Sequence, residues 1–460
     1  MGGYRGRGRL GPAVAVAPGA RVDRFEVFFD LVFVFSFFII TRATAVQISG
    51  TSLLRGMLVL AVLWWAWVVH SIVATRIRLG AGFVPVLMIL AMAALFCFAL
   101  GLPQAFGNPH GGAAGPIVVA LAYVVLRTTH VLLYVHAVRR DPADRRQLAR
   151  LAPELVLSTF LLLAAALIPG RIDDPQWAAW VRDGLWVSVV LLQYSTGIIS
   201  GTRSWTVPSA EHWTERYDFI LIIALGESVI SFGIGSNLLG QAPTWPAVVA
   251  AALGIFLTAA LWWAHFDMIG PAARIALHAA QGRPRVTMAR DGHAYLFLPM
   301  IAGIILFSLG AEGILDDIAD PHTPFYGVAR GPDVHLLYGG LICYLCGNML
   351  FQLRTLRTLS WSRVGTVALL AAGIPAAPHL PGLAALGLAT GICVGLCVLE
   401  VLTMNEARQA LHAMVFHERT THEAREAAWR ARWHEDELDK AGAPEEPEEP
   451  PDPTEERRSG

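Results

Sequence analysis

Glu26 and Asp30 stand four residues apart in the stretch Arg24-Phe25-Glu26-Val27-Phe28-Phe29-Asp30, so on a helix they share one face. The stretch runs straight into Leu31–Ile40, an apolar run that continues the helix to bilayer depth. Asp30 lies about 9 Å beyond Arg24 along such a helix. A carboxylate near a bilayer centre costs roughly 2.5–3.5 kcal/mol, and less near an interface, so Asp30 is expected to face protein or water. Glu227, in Ala224-Leu225-Gly226-Glu227-Ser228, and Arg127 pose the same problem deeper in. Glu227 is about 16 Å past Arg216, and Arg127 is at nearly the same depth before Arg139. An ion pair between Glu227 and Arg127, or a water-filled cavity shared by them, is the simplest expectation. Tyr123, Arg127, His130 and Tyr134 recur at helical spacing on one face. Asp30, His70, His130 and the His265/Asp267 pair then form an inner polar layer. Such groups conduct or exchange ions and protons, or act as polar glue between helices.

Other chemistry is not indicated. The His and carboxylate residues lack a metal spacing such as H-E-x-x-H, and no Gly-x-Ser-x-Gly or phosphate-binding loop stands out. No catalytic residue, metal or cofactor is expected, and the protein is not read as an enzyme. Cys97, Cys343, Cys346, Cys393 and Cys397 fall in apolar segments and read as packing residues.

The elements that must position these side chains are membrane helices. The 460 residues are 55% hydrophobic and 15% charged, against about 25% charged in soluble domains. The net charge of −1 argues against nucleic acid as a partner. About twelve apolar segments recur, near 25–45, 53–74, 83–103, 115–137, 152–170, 183–201, 217–237, 246–267, 294–313, 334–353, 363–380 and 382–403. The segment 363–380 carries Gly373, Pro375 and Pro378 and is expected to be broken or re-entrant. With the N-terminus inside, arginine concentrates in alternate loops: Arg76 and Arg78; Arg139, Arg140, Arg145, Arg146 and Arg150; Arg203 and Arg216; Arg274, Arg283, Arg285 and Arg290; Arg354, Arg357 and Arg363. That bias places both termini in the cytoplasm. Met1–Ala20 has no apolar core of a cleavable signal peptide.

The two halves echo each other. Asp23-Arg24-Phe25-Glu26 matches Glu215-Arg216-Tyr217-Asp218, and Leu63-Trp64-Trp65-Ala66-Trp67 matches Leu261-Trp262-Trp263-Ala264-His265. Residues 268–292 then read as an inserted loop. Six spans per half make the repeats parallel, with clefts between them where transporters keep their sites.

Arg24–Phe38 (RFEVFFDLVFVFSFF) and Glu215–Ile230 (ERYDFILIIALGESVI) resemble two signature stretches of the bacterial low temperature requirement A family. Leu261–Asp267 and Tyr295–Gly310 resemble two further stretches of it. The resemblance covers about residues 20–405 and implies a bacterial multi-pass membrane protein, linked by name to growth in the cold, without implying a mechanism. Arg24, Phe28, Phe29, Arg216 and Gly226 are its structural motif positions here. In the family pattern histidine is common where Phe297 stands, and an aromatic where His265 stands. Arg24-x-x-x-Phe28-Phe29-Asp30 is also similar to the Arg-x-x-x-Phe-Ser-Asp motif of an endosomal-lysosomal potassium channel family, with Phe29 in place of the serine.

These readings converge on an all-α polytopic membrane protein of about twelve transmembrane helices in two parallel six-helix repeats. The expected divisions are a basic tail over 1–22, repeats over 23–203 and 204–404, a charged cytoplasmic helix over 405–440 and a Pro/Glu-rich tail over 441–460. The expected function is a bacterial inner-membrane transporter of a small solute or ion. Its path would use Asp30, Glu26, Glu227, Arg127, His130, His70, His265 and Asp267. The alternatives are a cation channel and a non-transporting scaffold or sensor. Expected partners are the lipid bilayer, the transported solute or ion and a possible homo-oligomer.

Overall fold

A computed structural model of the chain describes residues 22–75, 83–106, 114–138, 142–199, 207, 209–235, 244–319, 331–418 and 420–421, with only the backbone of 137, 138, 142–152, 234 and 235. The basic tail up to residue 21, Arg76, Arg78, Arg139, Arg140 and Arg203, and the charged tail from residue 422 lie outside the described residues. Two units are present, Met1–Thr403 and Met404–Gly460. In the second, residues 405–418 are helical.

The first unit is built of helices: α1 (Arg24–Ala45), α2 (Gly50–Ala74), α3 (Val84–Gly101), α4 (Ala114–Val138), α5 (Pro142–Leu167), α6 (Pro175–Ile199), α7 (Ala210–Gly235), α8 (Trp245–Phe266), α9 (Ile269–Ala279), α10 (Gly282–Met288), α11 (Phe297–Ala319), α12 (Gly331–Leu356), α13 (Trp361–Gly373) and α14 (Gly382–Thr403). Their starts follow local chemistry. The Asp23 carboxylate accepts from the Phe25 N–H, and Ser49 and Ser52 form a reciprocal capping box that opens α2. Ser209 Oγ accepts from the His212 N–H at 3.2 Å and opens α7. Residues 268–292, expected as a loop, instead form α9, α10 and the start of a π-helical stretch, Ala289–Tyr295.

Among the described residues, nine helical stretches are long and apolar enough to cross a membrane. Three expected spans are not among them. α7 carries Arg216, Asp218 and Glu227 within the residues whose side chains are described, which end at Gly233, and α6 is diluted by Arg182, Asp183 and Gln193. α13 has 13 residues, about 20 Å of helix against a hydrocarbon core of about 30 Å, and stops at Gly373 ahead of Pro375 and Pro378.

α2 is the most buried of these nine, with 89% of its most apolar stretch buried. Apolar side chains on the outer helices, such as Ile89 on α3, Phe160 on α5 and Phe256 on α8, face outward, as lipid-facing positions do. α11 and α12 approach backbone to backbone: a Cβ at Gly303 would lie 2.7 Å from the Gly340 carbonyl oxygen. On the opposite side α11 packs against α7 and α1. These three helices run in the same direction. Glu26 and Asp30 of α1 meet His212 and Arg216 of α7 in the same order. Tyr217 and Phe232 of α7 meet Phe297 and Phe307 of α11 in the same order.

Candidate functional site

The seam between α1, α7 and α11 carries two polar layers. The first lies near the helix starts. Arg216 is fully buried and spans two acids of α1, Nη1 to Glu26 Oε2 at 2.8 Å and Nη2 to Asp30 Oδ1 at 2.8 Å. Trp67 of α2 donates from Nε1 to the same Asp30 oxygen at 2.7 Å, and its ring lies 5.5 Å from the guanidinium. His212 Nε2 stands 3.0 Å from Glu26 Oε2. A carboxylate only accepts, so that nitrogen carries the proton. Matching four-residue spacings make this possible: Glu26/Asp30 on one helix and His212/Arg216 on the other each present one face.

The second layer lies eleven residues further along α7, about 16 Å on. Glu227 is buried, and its Oε1 accepts from Ser231 Oγ at 2.7 Å. Glu312 of α11 is also buried and forms an ion pair with Arg42 of α1. Glu227 Oε2, Glu312 Oε2, Ser228 Oγ and Ser308 Oγ are buried without a hydrogen-bond partner. Between the layers the seam is apolar, with Phe33, Phe37, Ile220 and Ile304 buried.

The expected Glu227–Arg127 pair does not form. Arg127 Nη2 instead lies 2.6 Å from Glu154 Oε2, both buried. α4 packs on α5, and Arg127 and Glu154 are nearly equidistant in sequence from residue 140. Depth alone did not identify the partner. Of the other expected site residues, His70 stacks on Phe29 with ring centroids 3.9 Å apart and lies 5.2 Å from the His130 ring. Neither imidazole has a hydrogen-bond partner. His265 belongs to a separate network across α8, α12, α13 and α14. Glu400 takes Arg363 bidentately at 2.8 and 2.9 Å, Arg363 also donates to Asn348 Oδ1, and Asn348 Nδ2 meets His265 Nδ1 at 3.0 Å. His265 therefore carries its proton on Nε2, the side 3.9 Å from Asp218. Asp267 is half-buried just past the end of α8. Arg24, Phe28 and Gly226 are exposed, whereas Phe29 is buried.

Sequence reasoning missed His212, Glu154 and Glu312, and read Arg363 as a loop cation. His212 carried a legible signal, four residues ahead of Arg216. Glu312 did too, as an acid within the apolar stretch Leu309–Leu315. On the other side of α1 from Arg42, a cavity of about 460 Å³ opens between the ends of α1, α2 and α3, lined among others by Thr44, Gln47, Ser49, Ser52, Arg55 and Phe106. Arg55 is held there by Asp183 at 2.9 Å.

Apolar helices with outward-facing hydrophobic side chains around a polar seam define a multi-pass helical membrane protein. The family model of the bacterial low temperature requirement A protein matches residues 21–398, which contain both layers. The chain belongs to that family. It is also 25% identical over 402 residues to an uncharacterized protein of Rhizobium meliloti (strain 1021), covering 84% of this chain and 90% of that one.

Proposed function

We propose that the protein is a transporter of a small solute or ion whose path follows the α1–α7–α11 seam, with both termini on the cytoplasmic side. In this reading α6, α7 and α13 complete twelve membrane helices in two parallel halves, and α1 and α7 open those halves. The observation that carries the reading is the pair of buried ionisable layers, each with unsatisfied polar atoms, separated by Phe33, Phe37, Ile220 and Ile304. Groups of this kind are expensive inside a membrane and mark solute and ion paths. An apolar plug between two polar layers suits alternating access, in which each layer opens to its own side in turn.

The test is flux through purified protein in liposomes, against a panel of ions and small polar solutes. The expected result is saturable uptake of at least one of them, reduced about tenfold or more in Glu227→Gln. Conductance without saturation would favour a channel. A wild-type protein that passes no member of the panel, yet keeps its cellular role with Glu227 and Asp30 neutralised, would favour a scaffold.

A further inference from the structure

The second layer is short of positive charge. Among the described residues, the charged group that faces Glu227 there is Glu312 from α11; Arg42 from α1 meets Glu312, with Asp316 one turn beyond. α8, packed on the flank of α7, has no ionisable residue from Trp245 to Ala264. α9 and the π-helical stretch also touch α7, the latter at its far end, where His293 meets Tyr217. Glu227 is thus a buried carboxylate with one serine for company, a condition that draws a counter-charge from solution. Asp316, Asp317 and Asp333 gather where α11 ends and α12 begins, with the Asp333 carboxylate against Gly313. A mouth of that sign concentrates cations.

The oxygens around Glu227 are also suitably placed. Ser228 falls three turns after Tyr217 and four residues before Phe232, on the α7 face that touches α11. Ser308 and Glu312 lie about 140° or more round α11 from Gly303 and Gly310, the face that touches α12. Ser228 is thus on the α7 face that meets α11, and Ser308 is turned away from α12, toward the side where α11 packs on α7 and α1; both hydroxyls are buried and unpartnered. Carboxylate and hydroxyl oxygens are the donors that hard cations select.

We propose that Glu227 and Glu312 take up one monovalent cation, an alkali ion or a proton, between α7 and α11, with the Arg42 guanidinium as the resident charge it competes with. Arg42 is 43% exposed and so has water to turn into when displaced. The site deepens the transport reading by naming its ion, but it is tested by binding and not by flux.

The test follows the thermal unfolding midpoint of the purified full-length protein in detergent. In one arm sodium or potassium replaces N-methyl-D-glucamine at constant ionic strength. In the other, pH is varied in N-methyl-D-glucamine alone. The expected result is a saturable stabilisation in at least one arm, with the half-saturating concentration raised about tenfold or more in Glu227→Gln, and lowered in Arg42→Gln. Ser308→Ala separates the two sources, because it weakens an alkali response and leaves a proton response in place. Glu227→Asp keeps the carboxylate and should recover the response, which excludes misfolding as the cause of the loss in Glu227→Gln. A wild-type protein that responds in neither arm, or a Glu227→Gln variant that responds like wild type, overturns the site. Flux lost with binding intact refutes the transport reading alone, and binding absent with flux intact refutes this site alone.

Discussion

The two polar layers of the seam each set two acids against one arginine across α1 and α7, with α2 joining the first and α11 the second, yet they are finished differently. In the first layer, Glu26 and Asp30 meet Arg216, His212 and the Trp67 indole, and three of the four carboxylate oxygens have a partner. In the second, Glu227 and Glu312 have Arg42 and Ser231 between them, and each carboxylate keeps one oxygen unpartnered. A closed charge network joins helices, because opening it leaves bare charge in the membrane interior. An open one has vacant ligand positions. The contrast gives cohesion of α1 and α7 to the first layer and, under the proposed cation site, ion uptake to the second.

The largest effect should come from breaking the closed layer. Arg216→Met strands two carboxylates and is expected to cost about 3–5 kcal/mol or more of stability. Chemical or thermal unfolding in detergent would read this out. The triple variant Arg216→Met, Glu26→Gln, Asp30→Asn should recover most of the loss, since the penalty belongs to the stranded charge. If the single variant unfolds like wild type, the first layer does not hold the helices together. Next comes the Arg127–Glu154 pair, a closed network outside the seam. Arg127→Met strands one acid and is expected to cost about 3 kcal/mol, again largely recovered by adding Glu154→Gln. Equal losses in Arg216→Met and Arg127→Met would mean that the second acid in the first layer adds nothing.

A smaller effect is expected from the far side of α11. Gly303→Val forces a side chain against the α12 backbone at Gly340 and should cost about 1–3 kcal/mol. It also presses α11 toward α7, so it should disturb the open layer while leaving the closed one intact. Cross-linking yields between cysteines placed on α7 and α11, compared with a pair on α1 and α7, would separate the two.

Much of this was legible in the sequence, and the illegible part has one cause. Hydropathy and helical spacing set how deep a residue lies and which face it occupies. They demanded company for Asp30, Glu227 and Arg127. They do not say which helices touch. Arg127 was matched by depth to Glu227, whereas its partner Glu154 is on the next helix in the chain, α5. Arg42 and Glu312 are 270 positions apart, and no local pattern links them. Arg363 looked like a loop cation because it opens a helix, yet that first turn of α13 is tucked against Glu400 of α14. Arg216 was counted with the loop charges for the same reason, since four charged residues of α7 precede its apolar run.

The smallest effect on stability should come from Glu227→Gln, and that smallness is the informative result. The amide keeps the Ser231 contact through its carbonyl oxygen and removes a charge that no cation among the described residues meets directly. Replacing a buried ionised group by a neutral isostere is commonly neutral or stabilising, so the change should be no more than about 1 kcal/mol in the destabilising direction. Glu312→Gln offers the internal control. It strands the Arg42 guanidinium, but Arg42 is partly exposed and can rehydrate, so the loss should be larger than in Glu227→Gln and well below that in Arg216→Met. Unfolding of the two variants side by side decides the matter. If Glu227→Gln costs as much as Arg216→Met, Glu227 is structural glue like the first layer, and the distinction between a closed and an open layer fails.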